Sequence, residues 1–173
     1  GSQLTSIGTG AFNGASSLTS ITIPASVTSI GTNAFYQATK LETVTFEAGS
    51  QLASIGVSAF SSTFKLKYIT LPDSVTTIGD SAFTTAKFTS FTIPPNVTSI
   101  GDYTFWATFF TSIIIPSGVT SIGTRAFGNN GQLNTITIPD SVTSIASDAF
   151  YGASSLTNVI ISTNNQLGIT SPA

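Results

Sequence analysis

Apolar residues recur along the chain in one fixed order, set out by the stretch Ser20 to Phe35, S-I-T-I-P-A-S-V-T-S-I-G-T-N-A-F. Two apolar residues flank a threonine. A proline follows, then a valine, an isoleucine-glycine pair and an alanine-phenylalanine pair. Edited copies run from Ile69 to Phe83, Phe91 to Phe105, Ile113 to Phe127 and Ile136 to Phe150. The terminal phenylalanines Phe12, Phe35, Phe60, Phe83, Phe105, Phe127 and Phe150 mark seven units, separated by 23, 25, 23, 22, 22 and 23 residues. One such unit cannot bury its own apolar face, so the pattern predicts units stacked on one another as a solenoid.

Each unit resolves into the same predicted elements. The alternating pairs Ile21/Ile23, Val44/Phe46, Ile69/Leu71, Phe91/Ile93, Ile113/Ile115, Ile136/Ile138 and Val159/Ile161 predict a first strand, with the pair inward and the residue between them outward. Pro24, Pro72, Pro94, Pro116 and Pro139 close five of these strands, since proline has no N–H to give a ladder. Val27 and Ile30, with their counterparts in later units, return the chain to the core as a second short strand. Gly8, Gly31, Gly56, Gly79, Gly101 and Gly123 follow these isoleucines and are expected where the backbone takes a positive φ; Ala146 replaces the glycine in the last full unit as a tolerated variation. The Ala-Phe segment is expected to form one short helical or 3₁₀ turn. A bulky residue closes each unit: Leu18, Leu41, Leu66, Phe88, Phe110, Leu133 and Leu156.

Length changes fall in connections, where they cost least. The longest step carries Glu47 to Gln51 in place of the Pro-led turn, and Ser162 to Gln166 is expected to turn similarly. The two shortest steps each lose one residue, between Phe83 and Phe88 and between Phe105 and Phe110. The predicted organisation is one solenoid over residues 3–169. Gly1-Ser2 reads as a cloning scar, and residues 170–173 as a tail.

Composition narrows the function classes. Charged residues make up 7% of the 173, and roughly a third of the chain is serine or threonine. The 40% hydrophobic content supports folding rather than disorder. A net charge of -2 argues against nucleic-acid binding. With neither Cys nor His, no disulfide, thiol nucleophile, Cys/His zinc site or His-dependent triad is available. No apolar run reaches the roughly 18 residues of a spanning helix, so direct membrane insertion is not expected. No cofactor is expected.

The unit L-x-x-I-x-I-P-x-S-V-T-x-I-G-x-x-A-F, clearest at Leu18 to Phe35, Leu66 to Phe83 and Leu133 to Phe150, resembles the BspA-type leucine-rich repeat. The resemblance runs from Leu4 to about Leu167. It implies the α/β class: a right-handed, horseshoe-like leucine-rich-repeat solenoid, with a parallel β-sheet on one face and second short strands and short helical or 3₁₀ turns on the others. It also implies a bacterial or protist protein, at the cell surface or secreted, that adheres to host, matrix or cell-surface ligands. The family often has Cys three residues after the Ala-Phe phenylalanine; here that column is Ala15, Ala38, Thr63, Ala86, Thr108, Asn130 and Ala153. A small residue suffices there, so no redox or metal role carries over.

Surface chemistry is read down columns, because stacking places equivalent residues about 4.8 Å apart. The outward column Thr22, Thr45, Thr70, Thr92, Ile114, Thr137 and Ile160 suits a stabilising Thr ladder first. Ice binding is an alternative that the two isoleucines and horseshoe curvature weaken, and docking of an extended partner or a glycan on this face is another. Lys40, Lys65 and Lys87 form a second column, with Lys67 beside it and Glu42 stacked below Lys67. This is either a solvated charged edge or a patch for an anionic ligand, such as an acidic protein or sulfated glycan. Tyr68, Tyr103, Trp106 and Phe109 lie outside the main core columns, with Tyr36, Phe64 and Tyr151. Such residues pack over turns, and they also anchor binding sites. Tyr103, Trp106 and Phe109 are the leading candidate contact cluster. Asp80 and Asp102 share a column at a spacing near that of paired catalytic carboxylates, but Asp after an Ile-Gly turn is more simply a cap. Arg125 and Asp148 are placed to pair across units, and Asn96-Val97-Thr98 is an N-glycosylation sequon.

The leading expectation is therefore a non-enzymatic module for adhesion or protein recognition. A structural stalk is the first alternative. Open repeat faces at both ends predict frayed terminal units or self-association.

Overall fold

The structure, a computed structural model, describes residues 3–162. The expected turn beyond Ser162, the last residues of the predicted solenoid and the tail, and Gly1-Ser2, lie outside the described residues. Within them the chain forms β1 (Ser6–Ile7), β2 (Ser20–Ile23), β3 (Ser29–Ile30), β4 (Thr43–Phe46), β5 (Ser54–Ile55), β6 (Thr77–Ile78), β7 (Ser99–Ile100), β8 (Ser112–Ile114), β9 (Ser121–Ile122), β10 (Thr135–Ile138), β11 (Ser144–Ile145) and β12 (Asn158–Ile161). All pairings are parallel and join equivalent residues of successive units, such as Ile21 to Val44 and Ile30 to Ile55. The longer strands form the front sheet, in blocks β2-β4 and β8-β10-β12, and the two-residue strands form β1-β3-β5-β6 and β7-β9-β11. The outward column of the front strands is exposed throughout, and Ile114 is 81% exposed.

A third ladder replaces the expected helical turns. Asn33, Phe35 and Gln37 donate their N–H groups to Val57, Ala59 and Ser61 of the next unit, at 2.8 to 3.0 Å. Between them Ala34, Tyr36 and Ala38 close three-residue turns on Gly31, Asn33 and Phe35. A helix would keep all these amides within the segment. Here every second one is spent on the neighbouring unit, and no helix forms among the described residues. The alternation requires left-handed residues on both sides of the phenylalanine: Asn33 and Gln37, Ser58 and Ser62, Ser81 and Thr85, Tyr103 and Ala107 all have φ between 53° and 62°.

The glycine column has a different cause from the one expected. None of Gly8, Gly31, Gly56, Gly79, Gly101 and Gly123 has a positive φ. Their requirement is space: a Cβ on Gly31, Gly56 or Gly79 would lie 2.6 Å from a backbone nitrogen of the preceding unit. Ordinary contacts do not close that far, so these glycines set how tightly successive units stack.

The core is a spine of the seven phenylalanines, with successive ring centroids 5.0 to 5.8 Å apart and planes within 14°. The aligned valines, isoleucines and leucines surround it. The column aligned with the family's Cys is buried where the polar residues stand. The Thr63 hydroxyl donates to the Phe60 carbonyl, the Thr108 hydroxyl donates to the Asn130 side-chain oxygen, and the Asn130 amide donates to the Phe105 carbonyl.

The front sheet is interrupted at its centre. The expected strands at Ile69/Leu71 and Phe91/Ile93 bury their side chains but join no ladder. Among the described residues, no backbone hydrogen bond links 68–71 to β4 or to 90–93, or 90–93 to β8. The interruption coincides with bulk: Phe88 and Phe110 stand where other units have leucine, and Phe91 where they have isoleucine or valine. Their rings wedge against Phe83 and Phe105 at centroid distances of 5.0 to 5.7 Å and steep angles. Larger side chains in the core hold the backbone above them apart on either side of 90–93, whereas the opening between β4 and 68–71 has Leu41, Val44, Leu66 and Ile69 in those columns.

Candidate functional site

The open centre of the front sheet leaves a groove along the seam between β4 and residues 68–71. Thr43 and Glu47 donate their N–H groups backward, to Thr19 and Ile23. Backbone groups of a parallel strand alternate sides, so those of Val44 and Phe46 face the seam. A cavity of 370 Å³ lies there between Thr43–Phe46 and Tyr68–Thr70. It shares Thr43 and Tyr68 with a 300 Å³ cavity lined by Glu42, Lys65 and Lys67, and shares Phe46 and Thr70 with a 390 Å³ cavity reaching Glu47, Asp73 and Ser74. The groove thus has a lysine end and an acidic end. Tyr68, 65% exposed, stands over its middle. Lys65 and Lys67 are exposed and make no ion pair among the described residues, and the neighbouring Glu42 does not pair with them. Glu47 is partly occupied, its carboxylate accepting from the Ala25 N–H at 3.0 Å.

The other predicted site residues are distributed over three places. Tyr103 and Trp106 are in ring contact, centroids 5.5 Å apart. Trp106 leans across the side-chain-free Gly128 and stacks on Tyr151 at 6.4 Å, 5° from parallel. Arg125 covers both rings, its guanidinium carbon 5.7 Å from Trp106 and 5.1 Å from Tyr151, and pairs with Asp148 at 3.1 Å. The hydrogen bond to Asp148, then the neighbouring Tyr103, raises the Arg125 pKa further, so it stays protonated throughout. Within this platform Arg125 and Asp148 neutralise each other. Phe109 does not belong to it: that ring lies under Lys87, whose ammonium is 4.1 Å from the centroid. Lys40 is exposed one unit before Lys65.

Asp80 and Asp102 act as caps between units. Asp80 accepts the Asp102 N–H at 2.9 Å, and Asp102 accepts the Thr124 N–H at 2.7 Å. Among the described residues, no three His, Cys, Asp or Glu gather to hold a metal, and no helix is long and apolar enough to cross a membrane. Sequence reasoning missed the groove because it depends on hydrogen bonds that fail to form. The cluster of phenylalanines in leucine and isoleucine columns signals the openings beside 90–93, but at the groove those columns hold Leu41, Val44, Leu66 and Ile69.

Residues 1–111 and 98–170 match, in six copies, the family described as BspA type Leucine rich repeat region. A leucine-rich repeat protein from Eubacterium ventriosum is 30% identical over 81% of this chain and 33% of its own, with a TM-score of 0.63. A leucine rich cell surface protein from Faecalibacterium prausnitzii is 25% identical over 91% of this chain and 64% of its own, TM-score 0.56. The T. pallidum Leucine Rich Repeat protein is 26% identical over 91% and 63%, TM-score 0.57. The chain thus spans from one third to just under two thirds of the length of these three solved structures. No curated protein matches it.

Proposed function

The chain belongs to the BspA-type leucine-rich-repeat family, and on that premise we propose that it is a non-catalytic recognition module of a cell-surface or secreted protein, which adheres to a protein or cell-surface partner. The surface assignment is supported by its likeness to a bacterial protein described as a cell surface protein. The observation that carries the recognition reading is the groove at the centre of the front sheet. It offers backbone groups outside any ladder, an exposed tyrosine and two lysines without ion pairs among the described residues, all within a rigid stack. Such a site binds with little ordering cost, since the phenylalanine spine already fixes its geometry.

The test is binding of the chain to a panel of extracellular-matrix proteins and host-cell surfaces, beside Tyr68→Ala and Trp106→Ala. Saturable binding is expected. Tyr68→Ala should weaken it at least about tenfold, the effect of losing an anchoring aromatic, and Trp106→Ala should leave it nearly unchanged. Binding lost only with Trp106→Ala would move the site to the aromatic platform. No saturable binding to the panel would favour a stalk that carries recognition elsewhere in a longer protein.

A further inference from the structure

The turn between the buried small column and the closing core residue has two lengths. Two residues fill it after Phe60 (Phe64, Lys65) and after Phe127 (Gly131, Gln132), but only one after Phe83 (Lys87) and after Phe105 (Phe109). Two short turns side by side between longer ones leave a recess of 450 Å³ on the flank of the solenoid. That volume falls within the roughly 300–1,000 Å³ of small-ligand sites. Phe64, 46% exposed, stands on one rim, and Gly131 and Gln132 on the other. Gly131 leaves that rim without a side chain, although a Cβ there would meet nothing closer than Ser154 Oγ at 3.6 Å.

The polar groups of the recess narrow the ligand. The N–H groups of Thr85, Ala107, Asn129 and Phe109 are spent on carbonyls of neighbouring units. An extended peptide would therefore find few backbone partners here. The side-chain amide of Gln132 has no hydrogen-bond partner among the described residues, whereas that of Asn129 lies against Gly152 of the next unit. Lys87 is half-buried and makes no ion pair among them, its ammonium held over the Phe109 ring. One cation does not suit a polyanion such as a phosphate or sulfate chain, which needs several. Phenyl faces suit the apolar C–H face of a sugar ring, amides suit its hydroxyls, and one ammonium suits one carboxylate.

The geometry points to a binding site for a carboxylate-bearing pyranose, a uronic-acid unit of an acidic saccharide. The sugar stacks on the exposed Phe64 ring, its carboxylate meets Lys87 Nζ over the Phe109 ring, and its hydroxyls meet Gln132. This site is separate from the front-sheet groove and does not depend on it, although the two adjoin at Phe64 and Lys65.

Titration calorimetry of the 173-residue chain with methyl galacturonoside, a single uronic-acid unit, tests the proposal, with its methyl ester as the neutral control. Saturable binding to the acid is expected, at least about tenfold weaker for the ester and for Lys87→Gln. Gly131→Leu should fill the recess and abolish binding while the melting temperature stays near that of the parent chain. Tyr68→Ala should bind the acid unchanged. Absence of binding, equal binding of acid and ester, or binding that survives Gly131→Leu would each overturn the site. Binding lost in Tyr68→Ala would assign the saccharide to the groove and also overturn it.

Discussion

At the scale of single residues, the two kinds of special backbone position were unequally legible. The glycine after each core isoleucine was plain in the sequence, but its cause was not, since φ leaves no mark when other residues adopt it. The left-handed positions are held by Asn33, Gln37, Ser58, Thr85 and others that look like ordinary turn residues. Their conformational cost is offset by the hydrogen bonds they direct into the next unit. The glycines instead permit close approach. Gly56→Ala would set a methyl 2.6 Å from Thr32 N, and relieving that clash must push apart neighbouring units that share hydrogen bonds on both sides. A loss of about 1–3 kcal/mol is expected from urea unfolding. Ala146 already carries a methyl in this column, beside a half-buried Ile145. Ala146→Gly should therefore shift stability by well under half as much. Equal and small effects at both positions would show that close approach does not control the stacking.

At the scale of elements, registers and columns followed directly from the repeat, because each strand pairs with its own copy one unit away. Pairing strength did not follow. Phe88, Phe91 and Phe110 satisfy the apolar pattern as well as leucine or isoleucine does, and only packing reveals that they spread the front strands. Strand pairing is missing from both sheets between the units of Phe83 and Phe105. There β6 and β7 do not pair with each other either, and the backbone rungs left are those of the phenylalanine turn, at Ser81, Phe83 and Thr85, and the Phe109 N–H on the Phe88 carbonyl. Asp80 adds one more link by capping the Asp102 amide at this junction. Asp102 caps Thr124 where β7 and β9 are paired. Asp80→Ala is therefore expected to cost about 1–2 kcal/mol of unfolding free energy, and Asp102→Ala less. Urea unfolding followed by circular dichroism separates the two. A larger loss at Asp102 would contradict a weak central junction.

At the scale of the whole molecule, one stack of units holds three different surfaces. The front groove combines backbone outside any ladder, Tyr68 and a lysine pair. The flank recess combines two phenylalanines and Lys87. The Trp106 platform closes on itself through Arg125 and Tyr151. The recess was half-visible in the sequence as two adjacent short repeats, whereas the groove emerged only from the strands that fail to join. The recess arises in the units with large side chains and short turns, and the groove lies beside the longer Glu47 to Gln51 connection. Native-state hydrogen exchange of the free chain distinguishes a front sheet closed at each end and open in the middle from a continuous one. The amides of Val44, Phe46, 68–71 and 90–93 are expected to exchange at least about a hundredfold faster than those of Thr45, Ile136 and Phe83, which lie in formed ladders. Uniform protection along all seven front segments would mean a continuous sheet and would remove the groove.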